Sequence, residues 1–377
     1  MMQPFNRGLW AEVSKWGSTV PAAQGIFRTK DGVWVVTSPE LAHQVLVEDA
    51  CSYPVKPAFL RVKRHTLPND MRTETVHHLL KLMGAVPSCI DAAAAEAWLK
   101  RPQNREFQGW GIRLTREIYR SALSVDRPTL VDAALDRFVD VVLVDGTARG
   151  RRFNPTRRTF ALLQRQLASE FVGNRMRGSA PRDLIDIVNR HRPFLAPHDC
   201  AEVYLRLVTA LLGATGIAIE WMIALASEGG PSLDFSDIAT MRRASLETQR
   251  LYPSSWRLYR EAGAEGSIGG HRVRKGDHVI IATYAIHRDS ECWPHPEAYM
   301  PDRWLRDPIK RPSSYLPFSE GPGACPGRGV AAKTIASAAQ LLLANFQPTP
   351  AFIQGAQPQA LALLSPPRGV LRLGLSR

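Results

Sequence analysis

Residues 317–333 read P-F-S-E-G-P-G-A-C-P-G-R-G-V-A-A-K. One cysteine, Cys325, stands among glycines directly before an Ala-rich run that predicts a helix over 327–346. A helix N-terminus and free backbone N–H groups stabilise a negatively charged sulfur, and glycines let the backbone approach a flat cofactor closely. The pattern therefore suits a metal-bound thiolate. It suits an ordinary loop with a buried cysteine equally well, and this segment alone does not separate the two.

Upstream lies a Pro-rich irregular stretch over 294–326, and before it 268–285, I-G-G-H-R-V-R-K-G-D-H-V-I-I-A-T-Y-A, whose short β-like runs turn at Lys275-Gly276-Asp277. From about 75 to 250 helical periodicity dominates, including 131–144, 157–172 and 202–227, broken by Pro and Gly. Near the N-terminus, G-I-F-R-T-K-D-G-V-W-V-V at 25–36 predicts a hairpin around Asp31-Gly32, and Thr37-Ser38-Pro39-Glu40 predicts a capped helix start. Neither a repeat nor a low-complexity linker interrupts the chain, which favours one large interleaved domain over 1–377 with a β-rich part at about 20–60.

The 377 residues are 45% hydrophobic and 22% charged, an ordinary globular composition. No uncharged apolar run of about 18 residues reads as a membrane span. Glu12 and Lys15 stand where a secretory leader would keep its apolar stretch, so a cytoplasmic protein is expected. Cys51, Cys89, Cys200, Cys292 and Cys325 are scattered and odd in number, which argues against a disulfide framework and a paired-cysteine zinc site. Four of them read as packing residues. The net charge of +13 is spread along the chain apart from Arg149-Gly150-Arg151-Arg152 and Arg157-Arg158, with no aromatic-basic module to suggest nucleic acid as a partner.

Glu247-Thr248-Gln249-Arg250 places opposite charges at i and i+3 on one helical face. Alone this is usually a surface ion pair. Followed by P-D-R-W at 301–304 and F-S-E-G-P-G-A-C-P-G at 318–327, with A-I-H-R-D-S-E-C-W-P-H-P-E-A-Y-M-P-D-R-W-L between, it makes the chain resemble a cytochrome P-450, closely over 200–346 and more loosely before.

That resemblance implies a mainly α fold with small β-sheets (α+β), a single triangular domain whose long distal helix crosses the haem. It implies haem b as cofactor, Cys325 as proximal iron ligand, and Phe318 and Gly327 in the cofactor-binding loop. Glu247, Arg250 and Arg303 would form a buried charge triad anchoring that loop. Arg260, with His77 and Lys81 in V-H-H-L-L-K, matches positions that hold haem propionates. Leu211, Leu212 and Ile217 would face substrate, as would Trp256, Leu364-Ser365 and the region around 59–74.

Two departures matter. Two residues before its cysteine the family usually has Arg or His; here it is Gly323. On the long helix, aligning L-L-G-A-T-G-I-A-I-E-W-M on Trp221 puts Gly213 and Ala214 where most members carry the acid and threonine that deliver protons, with Thr215 one residue later, about 100° around the helix. The expected function is oxidative tailoring of a small or medium-sized natural product by a monooxygenase-type enzyme. Its electrons would come from a separate donor such as a ferredoxin attracted by Arg328 and Lys333. The alternative is a non-hydroxylating haem-thiolate reaction: peroxygenation, coupling, rearrangement or nitrogen transfer. Substrate and oligomeric state stay open.

Overall fold

The computed structural model describes residues 6–14, 25–55, 61–62, 65–86, 89–101, 109–125, 129–144, 155–172, 180–227, 233–306, 309, 312–349, 358–360, 363–367 and 372–375. The chain forms two compact units, each assembled from separate stretches. One comprises Met1–Lys56, Trp221–Arg328 and Gln357–Pro366; the other comprises Pro57–Glu220, Gly329–Ala356 and Pro367–Arg377.

The first unit is built on a four-stranded sheet. The expected hairpin forms with Ile26 opposite Val36, and its loop needs Gly32, at φ 81°. Strand Trp34–Val36 then pairs in parallel with His278–Ile281, which pairs antiparallel with Leu258–Glu261. Both sheet faces are covered. Trp34, Val36, Val279 and Ile281 face one core cluster, while Val33, Val35, Ile280 and Ala282 face another. Full burial of a Val or Ile side chain contributes about 1.5–3 kcal/mol, so this doubly covered strand pair is a large share of the unit's stability. Ser38 caps the following helix, its hydroxyl accepting from the Leu41 N–H at 3.2 Å with Pro39 at the first position. A second hairpin pairs Gly266–Ile268 with His271–Val273 through Gly269-Gly270, both at positive φ as a tight turn demands.

The second unit is mostly helical. It includes Asn69–Ala85, Ala92–Leu99, Trp110–Ile118, Thr129–Arg137 running into a π-helical turn at Phe138–Val144, and Pro155–Ala168. The helix Pro197–Ser227 starts five residues before the periodic run at 202–227, and its portion up to Glu220 lies in this unit. It meets the Trp110–Ile118 helix at a pair of glycines. A Cβ on Gly111 would stand 1.8 Å from the Gly216 carbonyl oxygen, and one on Gly216 would stand 2.4 Å from the Ile112 nitrogen. Only two glycines allow the backbones that close. Glu220, fully enclosed four residues on, accepts the Gly111 N–H at 3.1 Å and so caps the neighbouring helix from outside it. Burial raises its carboxyl pKa to about 8, against the pull of the Gly109, Gly111 and Ile112 amides.

The Pro197–Ser227 helix is long and apolar enough to cross a membrane, but 78% of its most apolar window is buried within the protein. Core packing accounts for its composition.

Candidate functional site

The Ile238–Leu251 helix begins at Asp237, whose carboxylate accepts from the Ala239 and Thr240 amides. Its last turn carries Glu247 and Arg250, both fully buried. A buried carboxylate is tolerable only when its lone pairs are used. Glu247 uses them all: Oε1 accepts from Arg250 Nη2 at 2.9 Å, Arg303 Nε at 3.0 Å and the Met300 N–H at 3.1 Å, and Oε2 accepts from Arg250 Nε and Trp304 Nε1, both at 3.0 Å. Arg250 is equally saturated. Its remaining donors reach the carbonyls of His287 (2.8 Å), Pro296 (2.7 Å) and Ala298 (3.1 Å). Both guanidinium groups lie over Trp293. The expected cluster of Glu247, Arg250 and Arg303 is therefore present as a bonded group in this unit.

Two members of the network carried no signal of their own in the sequence. Trp304 stood in P-D-R-W beside Arg303 without a role. His287 stood in A-I-H-R-D, where nothing local distinguishes it from a surface histidine. The Leu316 N–H donates to His287 Nε2 at 2.7 Å, so Nδ1 carries the proton and gives it to the Arg250 carbonyl at 3.0 Å. Burial, reinforced by the Arg250 charge, pushes the imidazole pKa down to about 3, and the ring stays neutral.

From Leu316 the chain turns back on itself. Ser319 adopts φ 60° with its N–H on the Leu316 carbonyl at 3.1 Å, and the Cys325 N–H reaches the Phe318 carbonyl at 2.7 Å. Gly321 is required: at φ 63° a Cβ would lie 2.2 Å from the Leu46 carbonyl oxygen. Cys325 is exposed at the end of this loop. Desolvation nonetheless raises its thiol pKa, opposed by the Gly327 N–H and the Arg328 charge. A thiolate here needs a cation to replace the hydration it gives up.

Arg260, on Leu258–Glu261, is buried at 7% exposure. Its guanidinium donates to the Tyr259 carbonyl at 2.9 Å and contacts Ser319 Oγ at 3.5 Å, and among the described residues it has no carboxylate partner. It lies against Gly323, where a Cβ would come within 2.6 Å of Nη2. The missing side chain at 323 makes room for Arg260. An exposed sulfur and a buried cation lacking a counter-anion, carried on one loop and the strand beside it, are a donor set that fits an iron porphyrin with acidic side arms.

Other expected residues fall as follows. His77 and Lys81 are both exposed, one turn apart on Asn69–Ala85. On the long helix Leu212 and Gly213 are buried, Leu211 and Ala214 half-buried, and Thr215 is 7% exposed. Trp256 and Leu364 are fully enclosed in the core cluster with Leu9, Val35 and Ile280, Trp256 edge-on to Trp10 at 5.4 Å. Their apolar character is accounted for by packing. In the 59–74 region, 59, 60, 63 and 64 lie outside the described residues, as does the basic run 149–152. None of the five cysteines is in a disulfide, and Cys51 is exposed, so packing does not explain it. Arg328 and Lys333 are exposed.

Residues 232–370 match the cytochrome P-450 family model. Over that stretch the chain is similar to cytochrome P-450s. The chain is 34% identical over 145 residues to cytochrome P-450 132 of Mycobacterium tuberculosis, covering 38% of this chain and 32% of that protein. It is 37% identical over 136 residues to thromboxane-A synthase of Mus musculus, covering 35% and 24%. The matched stretch is thus about a third or less of the length of these curated relatives. The fold likeness runs further. A zebra fish cytochrome P-450 solved with progesterone superposes with a TM-score of 0.72 at 18% identity, over 97% of this chain and 99% of that one. The haem domain of cytochrome P-450DA gives 0.68 at 16% identity, over 100% and 97%. The fold is the α+β P-450 fold.

Proposed function

We propose that this protein is a haem-thiolate oxidoreductase of the monooxygenase type, tailoring a small or medium-sized natural product with electrons from a separate donor such as a ferredoxin. The observation that carries this reading is the hydrogen-bonded run from Glu247 through Arg250, His287 and Leu316 to the Cys325 loop. A buried network of that size is costly unless every member is satisfied, and here it holds one exposed sulfur in place.

Haem b bound at this loop would supply redox chemistry at iron, with the Cys325 thiolate holding it. Arg260 would neutralise an acidic arm of the cofactor, in the place left by Gly323; His77 and Lys81 are candidates for the other arm. Gly213 and Ala214 offer neither carboxylate nor hydroxyl, so on this reading protons are held by substrate or water. A positioned acid is commonly worth about 10²–10⁴-fold. Exposed Lys333 would help attract an acidic donor, and Lys333→Glu is expected to slow reduction by a ferredoxin.

The test is spectroscopic. The reduced carbonyl complex is expected to show the red-shifted thiolate Soret band, and Cys325→Ala to abolish it. A histidine-like spectrum from the wild-type protein would sink the reading.

One observation favours a second reading, a non-hydroxylating haem-thiolate reaction. Ala214 is half-buried and carries no hydroxyl, and Thr215 one residue on is enclosed, which supports a distal helix without the usual proton-delivering pair. Product formed without any electron source would select this second reading.

A further inference from the structure

His287 is tied to both ends of the network it joins. Its side chain donates to the Arg250 carbonyl at 3.0 Å, and its own carbonyl receives Arg250 Nη1 at 2.8 Å. Its other ring nitrogen is the acceptor for the Leu316 N–H at 2.7 Å. The ring cannot swing aside: it is fully buried and stacked on Tyr315 at 5.5 Å and 25°, and Tyr315 is held by the Leu246 carbonyl and edged by Trp293 and Trp304. Beyond Leu316 three backbone bonds, Ser319 N–H to the Leu316 carbonyl, Ala324 N–H to the Gly321 carbonyl and Cys325 N–H to the Phe318 carbonyl, lead to the cysteine.

From this geometry we infer that His287 is a positioning residue: its unprotonated Nε2 fixes Leu316, and through Leu316 it sets where the loop presents the Cys325 sulfur. The inference rests on the haem-thiolate reading for its consequence, the strength of the sulfur–iron bond, but not for the loop geometry. A side chain there needs a donor toward Arg250 and an acceptor toward Leu316 at the two ends of a rigid ring. Glutamine and asparagine separate these needs. The amide oxygen of Gln reaches about as far as Nε2 and can accept from Leu316; the shorter amide of Asn matches Nδ1 and serves Arg250 alone.

The experiment compares His287→Gln and His287→Asn in the haem-loaded protein. Two readouts are taken: the reduced carbonyl spectrum and the hydrogen exchange of the 316–325 backbone amides. His287→Gln is expected to keep the red-shifted thiolate band and near-native protection. His287→Asn is expected to lose a large share of that band, with Leu316 and Cys325 amides exchanging about tenfold faster. A residue that merely fills the core would move neither readout differently between the two variants, so equal behaviour of Gln and Asn, in either direction, overturns the inference. Failure of the haem-thiolate reading is distinguishable: the wild type itself then lacks the band, while the exchange comparison still decides whether His287 holds the loop.

Discussion

The stretch from Glu247 to Cys325 is held by directional bonds between polar groups, whereas the Arg206–Glu220 part of the long helix is held by buried apolar side chains and by the close approach that two glycines permit. In the first, a carboxylate with five donors and a guanidinium with five acceptors leave one arrangement that satisfies everything, and the loop geometry follows from it. In the second, Gly111 against Gly216 sets how near two backbones come but says nothing about chemistry along the rest of the helix. Polar saturation constrains function tightly. Close packing constrains position.

Three measurements would break or sharpen that contrast. The largest effect belongs to Glu247→Ala, which strands the Arg250 guanidinium in a fully buried place and unpairs Arg303 and Trp304. Denaturant unfolding is expected to show a loss of about 3–5 kcal/mol, together with loss of haem. A loss under about 1 kcal/mol would mean the network is ornamental.

Next is the pH dependence carried by Glu220. Its folded pKa of about 8 lies above the ordinary carboxylate value, so the folded state keeps a proton that the unfolded chain releases as pH rises past about 4.5. Stability from this group is therefore fully present at acid pH and falls between about pH 4.5 and 8, by on the order of 5 kcal/mol. Glu220→Gln, which cannot titrate, is expected to flatten that slope and to be the more stable protein at pH 8.5. Parallel slopes for the two proteins would show that Glu220 is ionised in the fold.

The smallest effect is expected for Gly216→Ala. The added methyl meets backbone at Ile112, and backbone cannot rotate away, so a loss of about 1–3 kcal/mol is expected in thermal unfolding with the reduced carbonyl band intact. Loss of the band at unchanged stability would mean that helix spacing controls the thiolate, contrary to the division drawn above.

Much of this protein could be read from the chain. The hairpin at 25–36, the Ser38 cap and the helix after Cys325 are signalled by residues within a few positions of one another, and all three form. The order of Glu-x-x-Arg, Pro-x-Arg and the cysteine loop pointed to the triad through the resemblance to the cytochrome P-450 family. Trp256 and Leu364 show the opposite case. Nothing near them in the chain places them beside Leu9, Val35 and Ile280, which the sheet brings to them.

By itself, then, the sequence carried the resemblance to cytochrome P-450s, and with it the expected triad, the cysteine loop and the unusual Gly213-Ala214 pair, all of which depend on residue type and motif order. Only the tertiary structure decided that Arg260 takes the space at Gly323, that Trp304 completes the Glu247 shell and that His287 holds Leu316. Those roles arise between groups 29 to 63 residues apart in the chain, as at His287–Leu316 and Gly323–Arg260, and Gly111–Glu220 spans 109. Whether a buried donor finds its acceptor depends on where distant segments pack, and no local pattern records that.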